Sequence, residues 1–185
     1  MKKNKSKYLI FFLAIAIVVG TIYNLLQFLS YQRSDGLAFE QFISKNTGKK
    51  LVTSCDYNIY FLVSPLDCNS CSEQFLTIDF VNNLNIIGDK KGISICINYV
   101  VSGDYSEKEK MEYISEIKSE VSVYIDKKNM AKTFLLKKYD TVRTPFFIIL
   151  TRKGEIKYWQ DFKPDERFGY RSIDKKLMRL MEEIL

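Results

Sequence analysis

Asn58-Ile-Tyr-Phe-Leu-Val-Ser-Pro65 runs directly into Leu66-Asp67-Cys68-Asn69-Ser70-Cys71, and the segment beyond repeats apolar residues at helical spacing. Residues 59–64 are rich in β-branched and aromatic side chains, which suit a pleated, buried surface, and Pro65 ends the run. From Ser70 to about Ile87, the residues Phe75, Leu76, Phe80, Leu84 and Ile87 recur at intervals that predict a helix, closed by Asn85 and Gly88-Asp89. Two cysteines three apart therefore sit where a strand hands over to a helix. The first thiol is placed at the helix's positive end, where unpaired N–H groups and the dipole favour its thiolate. The second lies about one turn deeper, within reach of a mixed disulfide formed at the first.

Working backwards from this stretch, residues 8–29 contain no charge. As a helix they rise about 33 Å at about 1.5 Å per residue, enough for a hydrocarbon core of about 30 Å. Ala14-Ile15-Ala16 has the form of a signal cleavage site but falls inside the apolar run, and no cysteine follows it for a lipid anchor. The run is read as an uncleaved transmembrane anchor. Lys2, Lys3, Lys5 and Lys7 precede it, which places residues 1–7 in the cytoplasm as a basic tail and the bulk of the chain outside. Residues 30–50 read as a linker, with a short amphipathic helix around Leu37 to Ile43, and residues 51–185 as the globular domain.

Of 28 basic residues, those four lysines stand alone at the N-terminus; the other 24 face 22 acidic ones, a net of +2. That balance excludes a nucleic-acid partner. The absence of histidine excludes Ser-His and Cys-His catalysis and imidazole metal sites. Cys55 and Cys96 are the other cysteines. Cys96 reads as a small buried residue inside a strand over 93–101; Cys55 is open between a free thiol, a bridge partner and an accessory redox group. No metal site is expected from the four.

Forwards, Leu51 to Ser54 reads as an edge strand before a turn at 55–58. Ser106-x-x-Glu109 is a capping box opening a helix through Met111, Ile114 and Ile117. Val121 to Ile125 is a short strand, and Asn129 to Tyr139 a helix with Met130, Phe134 and Leu135 inward. Thr144-Pro145 closes a loop before the strand Phe146 to Thr151, and Arg152-Lys-Gly154 turns it into a partner strand over 155–160. Ser172 to Leu185 is an amphipathic helix. The alternation implies an α/β fold, a central mixed sheet flanked by helices with an antiparallel hairpin at one edge.

In this order of elements, with CxxC opening the first domain helix, Val142-Arg-Thr-Pro145 before a late strand and Thr151-Arg-Lys-Gly-Glu-Ile156 as the final hairpin, the chain resembles the thioredoxin-like, membrane-anchored extracytoplasmic thiol–disulfide oxidoreductases of bacteria, the TlpA/ResA-like branch. The resemblance covers about residues 51–185. It implies catalysis by Cys68 and Cys71 without a bound cofactor, a cis Pro145 beside them, and a substrate strand pairing with the backbone at Thr144. It also implies a disulfide-bearing extracytoplasmic protein as substrate and a membrane electron donor, besides the lipid bilayer around residues 8–29.

The family's aromatic residue before the first cysteine is replaced by Leu66-Asp67. Asp67, Asn69 and Ser70 are candidate redox-tuning positions: the Asp67 carboxylate opposes a thiolate that the helix end favours. Neither His nor Pro lies between the cysteines, which points to a reducing or isomerising role rather than to a strong oxidant, with a reductant preferred. A peroxiredoxin would need Thr or Ser at Pro65, and a copper carrier a histidine. No nicotinamide or flavin glycine fingerprint occurs. The reading from a different class is a non-catalytic binding module that holds a partner in the groove beside Pro145.

Overall fold

The computed structural model describes residues 3–51, 54–65, 76–115, 121–126, 129–137, 139, 144–161 and 173–185; within helices and strands, the side chains of 3–12, 28–34, 161, 173–177 and 180 are not among those described. The elements in chain order are α1 (Lys3–Thr47), β1 (Tyr57–Val63), α2 (Ile78–Lys91), β2 (Ile95–Val101), α3 (Glu107–Tyr113), β3 (Ser122–Ile125), α4 (Met130–Leu136), β4 (Phe146–Thr151), β5 (Ile156–Asp161) and α5 (Ile173–Ile184).

The strands form one sheet in the order β3-β2-β1-β4-β5. β1, β2 and β3 are parallel, while β4 runs antiparallel to both β1 and β5. Alternation along β1 builds the two layers. Ile59, Phe61 and Val63 point to a core shared with Phe80, Val81 and Leu84 of α2 and Met181 of α5. Tyr60 and Leu62 point to the opposite core, shared with α1 and α4. Each such side chain contributes about 1.5–3 kcal/mol on full burial, so β1, buried from Asn58 to Val63, is the centre of the domain.

Local capping sets the helix limits. Thr77 accepts a hydrogen bond from Phe80 N at 3.2 Å and caps α2; Gly92, at φ 66°, closes it. The stop expected at Gly88-Asp89 is absent because Gly88 is buried inside the helix, where a Cβ would lie 2.9 Å from the Ile93 carbonyl oxygen. The capping box at Ser106 and Glu109 forms as expected. In α4, which Asn129 opens in the left-handed conformation, Ala131 and Leu135 are buried while Met130, expected inward, is exposed. Leu51 and Ser54 stand outside any strand, and the rest of that proposed edge strand lies outside the described residues.

The linker expected over 30–50 is a helix as far as Thr47, and its last third belongs to the domain core. Phe39 and Ile43 are buried, and the Phe39 ring meets Tyr60 edge-on at 5.4 Å. The apolar positions noticed between Leu37 and Ile43 find a partner that local sequence does not display, the second face of the sheet. Helix α1 reaches the β4–β5 turn through two glycines: a Cβ on Gly36 would sit 2.1 Å from the Gly154 carbonyl oxygen, and one on Gly154 would meet Leu37. Gly36→Ala forces these elements apart and is expected to cost about 1–3 kcal/mol as overpacking, read as a lowered denaturation midpoint.

Glu40 is buried under the sheet, its Oε1 accepting a hydrogen bond from Tyr60 Oη at 2.9 Å. Burial raises the carboxyl pKa above the ordinary 4.5, with the Tyr60 bond pulling partly the other way. A raised folded pKa means that this group's contribution is fully present below the unfolded value and is lost as pH rises through the folded one. Glu40→Gln keeps an acceptor for Tyr60 and removes the buried charge. It is expected to raise stability at neutral pH, and to lose that advantage in acid, in chemical denaturation at both pH values.

Among the described residues, no helix is long and apolar enough to cross a membrane. Side chains of the apolar run are described from Leu13 to Gln27; the remaining side chains of 8–29 lie outside the described residues.

Candidate active site

The carboxyl end of β1 is where the chain leaves the sheet towards the two cysteines. Val63 is its last strand residue, Ser64 is buried and Pro65 half-buried. The neighbouring strands hold this exit on both sides. On one, Ser102 N donates to the Val63 carbonyl at 2.8 Å, extending the β2 pairing by one step. Gly103 follows at φ 114°, where a Cβ would lie 3.0 Å from Ser64 Oγ, so only glycine lets the chain pass this close. On the other, Leu62 pairs with Phe146, the first residue of β4, which Thr144 and Pro145 directly precede. The Thr144–Pro145 peptide bond is cis, as the resemblance implied, and Pro145 is buried.

Asp67, Cys68, Asn69, Ser70 and Cys71 lie outside the described residues, which lead up to them at Ser64 and Pro65. Pro65 and Pro145 are thereby brought to one end of the sheet from opposite halves of the chain. That end is also the carboxyl edge of the parallel strands, where strand connections diverge and open α/β sheets form their crevices.

A buried polar cluster fixes the frame from behind. Asp126, fully buried just past β3, accepts from Ser102 Oγ at 2.7 Å, Ala131 N at 3.0 Å and Asn46 Nδ2 at 2.6 Å. Lys110 Nζ, also buried, donates to the Asp126 carbonyl at 2.8 Å, and Asn129 Oδ1 accepts from the Gly103 N–H. These bonds join α1, β2, α3, β3 and α4 beside the β1 exit, and so satisfy the polar groups that burial would otherwise penalise. Sequence reading did not identify this cluster: an Asp after a short strand and a Lys in a charged helix carry no distinguishing spacing.

The other two cysteines form a disulfide. Cys55 and Cys96 are joined with Cα atoms 5.6 Å apart, which corrects the reading of Cys96 as an unpaired buried residue and resolves Cys55 as a bridge partner. The bridge lies at the amino end of β1, where Tyr57 pairs with Ile95, the far end from Ser64 and Pro145. A second clasp lies beside it. Asp56 Oδ2 accepts from Ser94 N at 2.9 Å and Ser94 Oγ at 2.8 Å, and these bonds hold the Asp56 carboxyl below its usual range. No group of three or more His, Cys, Asp or Glu that could hold a metal occurs among the described residues.

The strand order, the directions of the strands and the flanking helices make this an α/β thioredoxin-like domain. No family model and no curated protein matches the chain. Among solved structures it is similar to a thiol:disulfide interchange protein from Bacteroides sp., with 19% identity and a TM-score of 0.45 over 66% of this chain and 74% of the other. It is similar to the thioredoxin domain of a thiol-disulfide oxidoreductase from Bacteroides vulgatus, with 19% identity and a TM-score of 0.43 over 67% and 81%. It is also similar to StoA from Bacillus subtilis, with 16% identity and a TM-score of 0.40 over 67% and 81%.

Proposed function

We propose that this chain is a membrane-tethered thiol–disulfide oxidoreductase that reduces disulfides of extracytoplasmic proteins through Cys68 and Cys71. The observation that carries the reading is the pairing at the carboxyl end of β1: Leu62, six residues before Cys68, pairs with Phe146, which directly follows the cis Thr144–Pro145 bond. In the forward reaction, the Cys68 thiolate attacks one sulfur of a substrate disulfide, forming a mixed disulfide and releasing one substrate thiolate. The Cys71 thiolate then attacks Cys68 Sγ, releasing the second substrate thiolate and closing a Cys68–Cys71 bridge. Two electrons pass to the substrate, whose thiolates take up the two protons that the cysteines gave up. A membrane dithiol protein reopens the bridge by the same exchange, since nothing in the sequence marks a flavin or nicotinamide site. Thr144 and Pro145 form the wall along which the substrate strand lies.

The tether is residues 8–29, with residues 1–7 in the cytoplasm and the domain outside. Between Leu13 and Gln27 the exposed positions Leu13, Ile17, Val18, Ile22, Tyr23 and Leu26 are distributed around the whole helix, as a helix solvated by hydrocarbon requires. Lysines precede the run and acids are absent from it. The Cys55–Cys96 bridge supports an oxidising compartment for the domain.

The test is turnover of the full chain in detergent with a model protein disulfide and a thiol reductant. Acceleration that disappears on alkylation of Cys68 supports the proposal. Absence of acceleration, with substrate still retained by the alkylated protein, would replace it with a non-catalytic binding module.

A further inference from the structure

Helix α1 is continuous from the apolar run into the domain, and its path across the sheet has a direction. Gly36 touches Gly154 at the β4–β5 turn, which is the amino end of β1 because Thr151 pairs with Tyr57. One turn on, Phe39 and Glu40 meet Tyr60 at mid-strand. Two turns further, Asn46 reaches Asp126, which follows Ile125 of β3; Ile125 pairs with Val101, and Val101 with Val63 at the carboxyl end of β1. Followed from Gly36 to Asn46, α1 therefore climbs from the amino end of the parallel strands to their carboxyl end. Followed backwards, it leaves the domain past the amino end of β1, and the apolar run lies beyond that end.

Resting on the membrane anchor proposed above, we infer that the carboxyl end of β1, from which the chain enters the CxxC stretch, faces away from the bilayer, so that every exchange partner, a membrane donor included, must present its thiols on a segment standing clear of the lipid. From Leu29 to Gly36 the helix adds about 10 Å at about 1.5 Å per residue. From Tyr57 to Val63 the strand adds about 20 Å at about 3.3 Å per residue. With helix and strand both along the bilayer normal, the exchange end then stands about 30 Å above the edge of the hydrocarbon core. The Cys55–Cys96 bridge, at the amino end of β1, is the redox group that faces the membrane. The fixing contacts are buried glycine against buried glycine at one end and the part-buried Asn46–Asp126 hydrogen bond at the other, so the domain is carried on a strut and not on a swivelling tether.

The full chain is reconstituted in phosphatidylcholine vesicles containing a headgroup-nitroxide lipid, a short-range quencher. A fluorophore is attached through a genetically encoded azide at Lys153, exposed on the β4–β5 turn, or at Lys108, exposed in the first turn of α3 beyond the carboxyl end of β2. The expected result is loss of most of the fluorescence at Lys153 and none at Lys108. Comparable quenching at both sites, or stronger quenching at Lys108, overturns the orientation while leaving the anchor intact. Failure of the chain to float with the vesicles overturns the anchor and the orientation with it.

Discussion

Cys71→Ser is expected to accumulate stable mixed disulfides with extracytoplasmic proteins, and Cys68→Ser to form none and to lose at least about a hundredfold in exchange rate. The two variants separate the two halves of the reaction. Thiolate is the attacking species, and an unperturbed cysteine at neutral pH is already a few per cent ionised, whereas a serine hydroxyl is not ionised to any useful extent. With Cys68 intact and Cys71 gone, the first attack proceeds and the resolving attack has no nucleophile. Immunoprecipitation from membranes quenched in acid and then alkylated at neutral pH, followed by non-reducing electrophoresis, reads both outcomes. Adducts in equal amount from both variants would remove the ordered roles assigned to the pair.

Replacing both Cys55 and Cys96 by serine is expected to destabilise the domain by about 4 kcal/mol and to leave exchange at Cys68 unchanged wherever the protein stays folded. The bridge spans 41 residues of sequence, and the chain-entropy relation converts a loop of that size to about 4 kcal/mol at 25 °C. Against a total of about 5–15 kcal/mol for an ordinary domain this is a large share. Catalysis is spared because the bridge lies a full strand length, about 20 Å, from the β1 exit. The Asp56–Ser94 clasp still holds the strand starts together after the bridge is gone. Denaturant midpoints supply the stability, and turnover at low temperature supplies the rate. A folded double variant that exchanges slowly would make the second pair part of an electron relay.

What the sequence disclosed and what it withheld divide by range. β1, the capping box at Ser106 and the turn at Arg152–Gly154 are specified by neighbouring residues, and each forms within a residue or two of the expected position. The cis bond at Thr144–Pro145 was implied by resemblance rather than by propensity. The Cys55–Cys96 bridge depends on the parallel register that sets Tyr57 beside Ile95, a pairing absent from either local stretch. The role of residues 35–47 likewise depends on a sheet formed much later in the chain, although Leu37 to Ile43 already displayed the apolar spacing. Asp126 has no local signature because its partners come from four other elements, α1, α3, α4 and the end of β2. Of the candidate site, Thr144 and Pro145 are joined by a cis bond directly before β4; Asp67, Cys68, Asn69, Ser70 and Cys71 lie outside the described residues.

The central claim is that Cys68 and Cys71 form a redox-active couple, distinct from a structural bridge at Cys55 and Cys96. Equilibrating the full chain in graded glutathione and dithiothreitol buffers, quenching with acid, alkylating and mapping each cysteine by mass spectrometry tests it directly. The account predicts two separated transitions. The Cys68–Cys71 bridge should interconvert within the range of exchange proteins, about −120 to −270 mV, while Cys55–Cys96 stays oxidised until below about −300 mV. Failure to observe any Cys68–Cys71 bridge, or a single transition in which all four cysteines titrate together, would contradict it.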